Sequence, residues 1–195
     1  MLGALVGALF SGLLSKAIGR KTSLIIAAIL FAISAWGSGL PSMLPESITL
    51  MVVFRIIGGV AIGIASMNAP MYIAEIAPAE KRGNLVTFYQ LAIVIGFFVV
   101  FLVTYFIGND LTESENISVG WRYMFWSELI PSFIFLALLF FVPKSPRWLI
   151  LKGRYDEAKH ILTRIYGEEE ATKKLENIKG AIQKGCIQTL FQPLK

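Results

Sequence analysis

The sequence predicts an all-α protein, a polytopic transmembrane helical bundle followed by short amphipathic helices. Hydrophobic residues make up 55% of the 195 residues, and charged residues make up only 16%, compared with about 25% in globular proteins. The charge is also segregated, because 11 of the 18 lysines and arginines lie from Lys144 onward. We therefore divide the chain into transmembrane helices at residues 1–143 and a basic tail at residues 144–195.

Five apolar segments approach the length of about 20 residues that crosses the roughly 30 Å hydrocarbon core of a bilayer. They are Leu2 to Ile18, Ser23 to Leu40, Ile48 to about Ile76, Val86 to Ile107, and Tyr123 to Val142. The third is too long to stand upright, so we expect it to tilt, protrude or kink near Pro70. Small residues recur at every fourth position of the first segment, at Gly3, Gly7, Ser11 and Ser15. This spacing favours close packing against another helix.

The charges of the loops predict the orientation in a cell (inner) membrane, because basic loops mark the cytoplasmic side. The loops expected inside carry Lys16, Arg20, Lys21, Lys81 and Arg82. Those expected outside carry Glu46, Asp110, Glu113, Glu115 and a single Arg122. Successive loops then lie alternately inside and outside the cell, and this alternation places the tail in the cytoplasm. Because an odd number of spans starts outside and ends inside, we expect a further segment upstream.

The tail shows helical rather than membrane-spanning periodicity, with apolar residues at Ala158, Ile161, Leu162 and Ile165. Glycines at positions 153, 167, 180 and 185 interrupt it. We predict two or three short amphipathic helices at the cytoplasmic membrane surface. The net charge of +5 favours an anionic bilayer as partner. Nucleic acid is not expected, since no basic-aromatic pattern accompanies the charge.

The sequence contains no residue pattern typical of a catalytic or metal-binding site. His160 is the only histidine and Cys186 the only cysteine, which leaves no His-based triad, no disulfide within the chain, and no multi-ligand metal site. Neither a phosphate-binding loop nor a G-x-S-x-G nucleophile turn occurs. The sequence therefore predicts no enzyme, no catalytic residues, no metal and no cofactor.

Arg55 is a charge inside the third apolar segment. Intramembrane charges are costly and usually face a bundle interior or a wet cavity, so Arg55 is a functional candidate. The alternative is an arginine that extends its charged end to the interface from near the helix end. Gly59 and Gly63 follow it at four-residue spacing, which lets another helix approach that face.

Three further polar residues interrupt apolar segments. Glu75 is either part of a charge network or a solvated helix end. Gln90 carries an amide that needs several hydrogen bonds when buried, and it is either a ligand-binding group or a partner of a neighbouring helix. Glu128 lies early in the fifth segment, where we expect it at the membrane interface.

The spacing of several motifs resembles the sugar porter branch of the major facilitator superfamily, and especially its bacterial D-xylose/proton symporters. The motifs cover nearly the whole chain. They are Gly19-Arg20-Lys21, Arg55 with Gly59, Pro70, Tyr72, Glu75, Pro78, Arg82 and Gly83, Gln90-Leu91-Ala92-Ile93, Gly120-Trp121-Arg122, and Ser145-Pro146-Arg147-Trp148-Leu149.

This resemblance implies a fold of twelve helices in two halves, of which this chain would hold helices two to six and part of the cytoplasmic helical domain. Helix one and the second half would then be its missing partners. The implied function is transport of a monosaccharide by alternating access, as symport with protons. The alternatives are an uncoupled sugar uniporter and a non-transporting sugar sensor on the same scaffold.

The resemblance also implies roles for particular residues. Gln90 would bind the sugar, with Ile93 and Phe97 on the same helix. Arg55 would pair with a carboxylate of helix one and couple transport to protons. A cytoplasmic gating network would comprise Arg20, Lys21, Glu75, Arg82, Lys144 and Arg147.

Four positions depart from the family pattern. Lys16 and Ala17 stand where the family usually has Asp or Asn and then Arg. Lys144 replaces a glutamate, and we expect it to add a fourth positive charge beside the arginines of the network. Phe97 stands where the xylose symporters carry a second sugar-binding glutamine, which argues against xylose and resembles the facilitative glucose transporters.

Overall fold

Residues 1–39, 47–78 and 80–190 are described by a computed structural model of the chain, with side chains as far as residue 182. The bundle contains α1 (Leu2–Ile18), α2 (Arg20–Ser38), α3 (Ile48–Ile76), α4 (Arg82–Asp110), α5 (Glu113–Glu115), a π-helical turn (Asn116–Gly120), α6 (Trp121–Ser127) and α7 (Leu129–Phe141). The tail contains α8 (Pro146–Leu151), α9 (Tyr155–Tyr166) and α10 (Glu168–Leu190). The predicted all-α transmembrane class is confirmed.

Four helical runs in the described residues are long and apolar enough to cross a membrane, namely α2, α3, α4 and the run Glu113–Phe141. The first predicted segment forms the shorter apolar helix α1. Helix α2 begins three residues before the predicted Ser23, because Gly19 adopts a φ of 91° that separates it from α1. Its predicted end, Leu40, lies outside the described residues, as does Glu46 of the following loop.

Helix α3 keeps its predicted bounds and continues through Pro70. The fifth predicted segment differs, because α6 and α7 are interrupted at Glu128. Proline at position 131 lacks an N–H, and its ring crowds the carbonyl four residues earlier. The Glu128 amide consequently bonds Phe125 O at the tighter i−3 spacing, 3.2 Å away. The predicted apolar span from Tyr123 to Val142, with Pro131 inside it, thus corresponds to the later part of the run Glu113–Phe141, in two helices that meet at Glu128.

The predicted amphipathic tail helices are present, with Gly153 and Gly167 at positive φ between them. Gly180 and Gly185 do not end a helix as expected, since α10 runs through both positions. Three residues of α10, Leu175, Ile178 and Ile182, pack against a core of Leu149, Ile150 and Ala158. This burial outweighs the weak helix propensity of glycine. Residues 191–195 lie outside the described part.

Small residues bring α1 into backbone contact with α3. The predicted stripe Gly3, Gly7, Ser11 and Ser15 is buried. A Cβ added at Gly7 would overlap the Val60 carbonyl oxygen, and one added at Gly63 would lie 2.6 Å from Ala8 N. One turn further on, buried Asn68 donates to Ser11 Oγ at 2.9 Å. Helix α3 therefore serves as the packing centre of the bundle.

Gly63→Ala should destabilise the chain by about 1–3 kcal/mol, the usual cost of overpacking a tight contact. Gly96→Ala on α4 is the matched control, because nothing lies within 4 Å of its added Cβ. The control should gain up to about 1 kcal/mol from helix propensity. Unfolding in detergent mixtures of rising SDS content, followed by circular dichroism, measures both. Equal effects of the two substitutions would contradict the close contact between α1 and α3.

Candidate functional site

A buried polar cluster, which we call the tail junction, consists of Arg20, Glu75 and Ser145. Arg20 Nη2 lies 2.9 Å from Glu75 Oε1, and the two side chains are 10% and 7% exposed. Ser145 Oγ donates to Glu75 Oε2 at 2.5 Å. Arg20 Nη1 also donates to Ser15 O at 3.2 Å. The junction thus links α1, α2, α3 and the start of α8 through one carboxylate.

Other hydrogen bonds attach the tail to the same end of the bundle. Tyr72 Oη donates to Pro143 O at 2.6 Å, and Tyr166 Oη donates to Ile76 O at 2.9 Å. The Trp148 indole N–H donates to Lys16 O at 3.3 Å. These bonds occur where α1 and α3 end, so the tail is held against those helix ends.

A cavity of about 610 Å³, which we call the cationic cavity, opens beside the tail junction. Its lining residues are Lys16, Arg20, Met71, Ala74, Glu75, Arg82, Arg147, Leu151 and Ile178. Four residues of the predicted gating network therefore come together here.

Lys21 and Lys144 of that predicted network lie elsewhere. Lys21 Nζ donates to Phe140 O at 3.1 Å, which links α2 to the end of α7. Lys144 Nζ lies 3.9 Å from Glu157 Oε2 of α9. Lys144 is thus not among the residues that line the cavity and has an acid of the tail beside it, and its place in the gating network stays a prediction. Sequence spacing gave no signal for Glu157.

Arg55 and Glu128 form the second polar site of the bundle. Arg55 Nη2 lies 3.6 Å from Glu128 Oε1, and the two side chains are 40% and 41% exposed. The guanidinium also lies 4.0 Å from the centre of the Phe125 ring, a favourable cation–π distance. Sequence reasoning treated Glu128 as interfacial and missed this pair. The available signal was one arginine and one glutamate placed in separate apolar segments.

The predicted sugar-binding residues lie on an open face of α4. Gln90, Ile93 and Phe97 are spaced by three and four residues, which places them on one helix face. All three are exposed, and no residue of α4 is buried. Within the described part of the chain, Gln90 makes no side-chain hydrogen bond. Pairing of Gln90 with a neighbouring helix, the alternative interpretation, is therefore not observed here.

Known proteins resemble this chain over almost its full length. The sequence model of the family described as "Sugar (and other) transporter" matches residues 1–194. The D-xylose-proton symporter of Escherichia coli strain K12 is 43% identical over 199 residues, which cover 95% of this chain and 40% of that protein. The arabinose-proton symporter of Bacillus subtilis strain 168 is 39% identical over 196 residues, covering 99% and 41%. The glucose transport protein of Synechocystis is 36% identical, covering 93% and 39%.

Solved structures share the fold as well as the sequence. The xylose transporter XylE from E. coli, in a partially occluded inward-open conformation, matches with a TM-score of 0.90 and 44% identity over 94% of this chain and 46% of that one. Its inward-open conformation matches with a TM-score of 0.88 and 43% identity, over 95% and 44% of the two chains. The chain spans about 40% of the length of the curated relatives it matches. Both its sequence and its helical arrangement show that it belongs to the sugar transporter family of the major facilitator superfamily.

Proposed function

We propose that these helices form part of the pathway of a proton-coupled monosaccharide symporter that works by alternating access. The observation that carries the proposal is the Arg55–Glu128 pair, an ion pair between apolar helices. Such intramembrane pairs commonly belong to proton relays and substrate pathways. The names of the relatives, which include D-xylose-proton and arabinose-proton symporters, support the same reaction.

Protonation of Glu128 would remove one charge of the pair and release Arg55. That change alters the attraction between α3 and the α6–α7 break, so proton binding can bias the packing of those helices. A carboxylate on a further helix could compete for the same arginine, as the family resemblance implies. Arg55 is therefore assigned the proton-coupling role, with Glu128 as a partner that the sequence did not indicate.

The open face of α4 is the proposed sugar-binding wall. Gln90 supplies an amide that can donate and accept hydrogen bonds, as a sugar hydroxyl requires. Ile93 and Phe97 supply apolar surface for the faces of the sugar ring. Because the chain spans about 40% of its relatives, further helices like theirs would complete the site and act as partners of this chain.

The tail junction and cationic cavity are the proposed gate. Arg20, Glu75, Arg82 and Arg147 lie where the bundle ends meet the tail, and Lys21 and Lys144 fasten adjacent elements. We place this end, with the tail, on the cytoplasmic side of the cell (inner) membrane, because the basic loops lie there.

Glu128→Gln should abolish proton-driven sugar accumulation while sugar exchange persists. The neutral amide imitates a permanently protonated carboxyl, so the pair can no longer respond to the proton gradient. The test uses a chimera in which this chain replaces the matching segment of the E. coli D-xylose-proton symporter. Uptake and counterflow of labelled xylose and glucose are measured in proteoliposomes. Arg55→Leu should give the same separation of the two activities.

Two controls frame this experiment. Glu113→Gln, an exposed carboxylate on α5, should leave accumulation and counterflow unchanged. The 195-residue chain by itself should give no counterflow above empty vesicles, since alternating access requires two halves around a shared site. Full accumulation by the Glu128→Gln chimera would exclude Glu128 from proton coupling. Counterflow without accumulation in the unsubstituted chimera would favour uncoupled uniport, and absence of saturable counterflow there would contradict sugar transport.

Gln90→Ala should weaken sugar binding by roughly tenfold to hundredfold, the result of losing about 1–3 kcal/mol when a buried hydroxyl loses its partner. Asn84→Ala removes an amide from another face of α4 and should leave binding unchanged. Competition for counterflow in the same chimera measures both affinities. Phe97→Gln should increase xylose affinity relative to glucose. Unaltered binding by the Gln90→Ala chimera would remove Gln90 from the site.

Glu75→Gln should loosen the tail from the bundle, because it leaves buried Arg20 without its counter-charge. Removing one partner of a buried pair usually costs about 3–5 kcal/mol. Glu169→Gln is the matched control, since the Glu169 side chain is 91% exposed in its pair with Lys173. Limited proteolysis of the tail and thermal unfolding in detergent should respond only to Glu75→Gln. Equal proteolysis of the two variants would mean that the junction does not hold the tail.

A further inference from the structure

Phe125 contacts Arg55 beside the Glu128 carboxylate. The guanidinium carbon of Arg55 lies 4.0 Å from the centre of the Phe125 ring, well within the distance of about 6 Å at which a ring face attracts a cation. Nη2 of the same guanidinium lies 3.6 Å from Glu128 Oε1. The arginine of α3 therefore has two partners at the end of α6, one charged and one neutral.

The backbone at the end of α6 places these two partners side by side. Phe125 and Glu128 are three residues apart, a spacing that puts two side chains on one helix face. The Glu128 amide also donates to Phe125 O at 3.2 Å, in the tight turn that precedes Pro131. The ring and the carboxylate are thus presented together to α3.

Trp121 orients the Phe125 ring. The two ring centres lie 6.1 Å apart with an angle of 77° between the ring planes, which is the edge-to-face arrangement that aromatic pairs favour. Phe125 is also partly buried, so its ring is confined by its neighbours. The face of the ring consequently remains turned toward Arg55.

The two partners of Arg55 respond differently to a proton. A carboxylate loses its charge when it is protonated, and its attraction for a guanidinium then weakens. A phenyl ring does not titrate, so its attraction for Arg55 is the same in both protonation states of Glu128. Between apolar helices a cation without any partner is costly. The ring therefore contributes most to holding Arg55 when Glu128 is neutral.

We propose that Phe125 is a positioning residue that keeps Arg55 at the α6–α7 break while Glu128 is protonated. The arginine then remains in place to form the ion pair again when the proton leaves, instead of moving to water or to another acceptor. Phe125 carries no proton and acts through Arg55. The inference rests on the proposed function, since protonation of Glu128 is a step of the proposed symport.

Phe125→Leu tests the role of the ring in the chimera with the E. coli D-xylose-proton symporter. Leucine keeps an apolar side chain but removes the neutral partner of Arg55. Proton-driven accumulation should fall about threefold to tenfold, whereas counterflow, which does not use the proton gradient, should change less than about twofold. Phe125→Tyr retains an aromatic face and should retain accumulation.

A fluorinated series separates the charge distribution of the ring from its size. Phenylalanines with one, two or three ring fluorines are introduced at position 125 by stop-codon suppression. Fluorine withdraws electrons from the ring face and changes its shape little. The ratio of accumulation to counterflow should fall stepwise with each fluorine, because each weakens the attraction for the guanidinium. This series decides the question even if the Phe125→Leu chimera fails to fold.

Phe133 on α7 provides the matched control. Its side chain is 57% exposed, and no cation lies over its ring in the described part of the chain. The same fluorinated series at Phe133 should leave the ratio of accumulation to counterflow unchanged.

A stepwise fall of this ratio at position 125 alone supports the positioning role. An active, coupled chimera whose ratio is constant across the series at position 125, or falls equally in both series, would overturn that role and leave the proposed function standing. Absence of proton-driven accumulation in the unsubstituted chimera would overturn the proposed symport, and this inference with it.

Discussion

The ion pair between Arg20 and Glu75 lies where three helices and the tail meet, and much of the structure depends on it. Two charges nearly excluded from water attract each other strongly only when the remaining polar atoms are also satisfied. Ser145 satisfies the second carboxylate oxygen and the Ser15 carbonyl accepts from the guanidinium, while the buried Arg20 Nε has no hydrogen-bond partner among the described residues. The pair thereby sets the position of α8 against α3, and it defines one wall of the cationic cavity.

The two polar sites differ in their degree of enclosure. The tail junction is almost fully buried, whereas the Arg55–Glu128 pair remains about 40% exposed, and the whole of α4 lies open. A buried pair resists rearrangement, because separating it leaves an unsolvated charge. A half-exposed pair can exchange partners or protons at lower cost. The junction is therefore suited to hold the helix ends, and the Arg55–Glu128 contact is the easier of the two to rearrange.

Sequence reasoning performed well where one local property decides the outcome. The bounds of α1 and α3 and the stripe of small residues agreed with the structure, because apolar length and four-residue spacing are sufficient to indicate them. It did not indicate the break at Glu128, although Pro131 was visible in that segment, and it failed at Gly180. At Gly180, tertiary burial of neighbouring leucine and isoleucine overrides a local helix breaker. The family of the chain was also recognisable, because its motifs recur at fixed spacing.

The sequence by itself determined that the chain is a set of membrane-spanning helices with a basic amphipathic tail. Inside a bilayer every backbone N–H and C=O group needs a hydrogen-bond partner within the protein, and a helix provides these partners within one segment. Only the tertiary structure decided which charges meet. Arg55 pairs with Glu128, Glu75 accepts a hydrogen bond from Ser145, and Lys144 lies near Glu157. The partners of Arg55 and Glu75 lie far from them in the chain. The Lys144–Glu157 pair is closer in sequence, but it depends on how the tail helices pack. Local periodicity therefore does not specify these contacts.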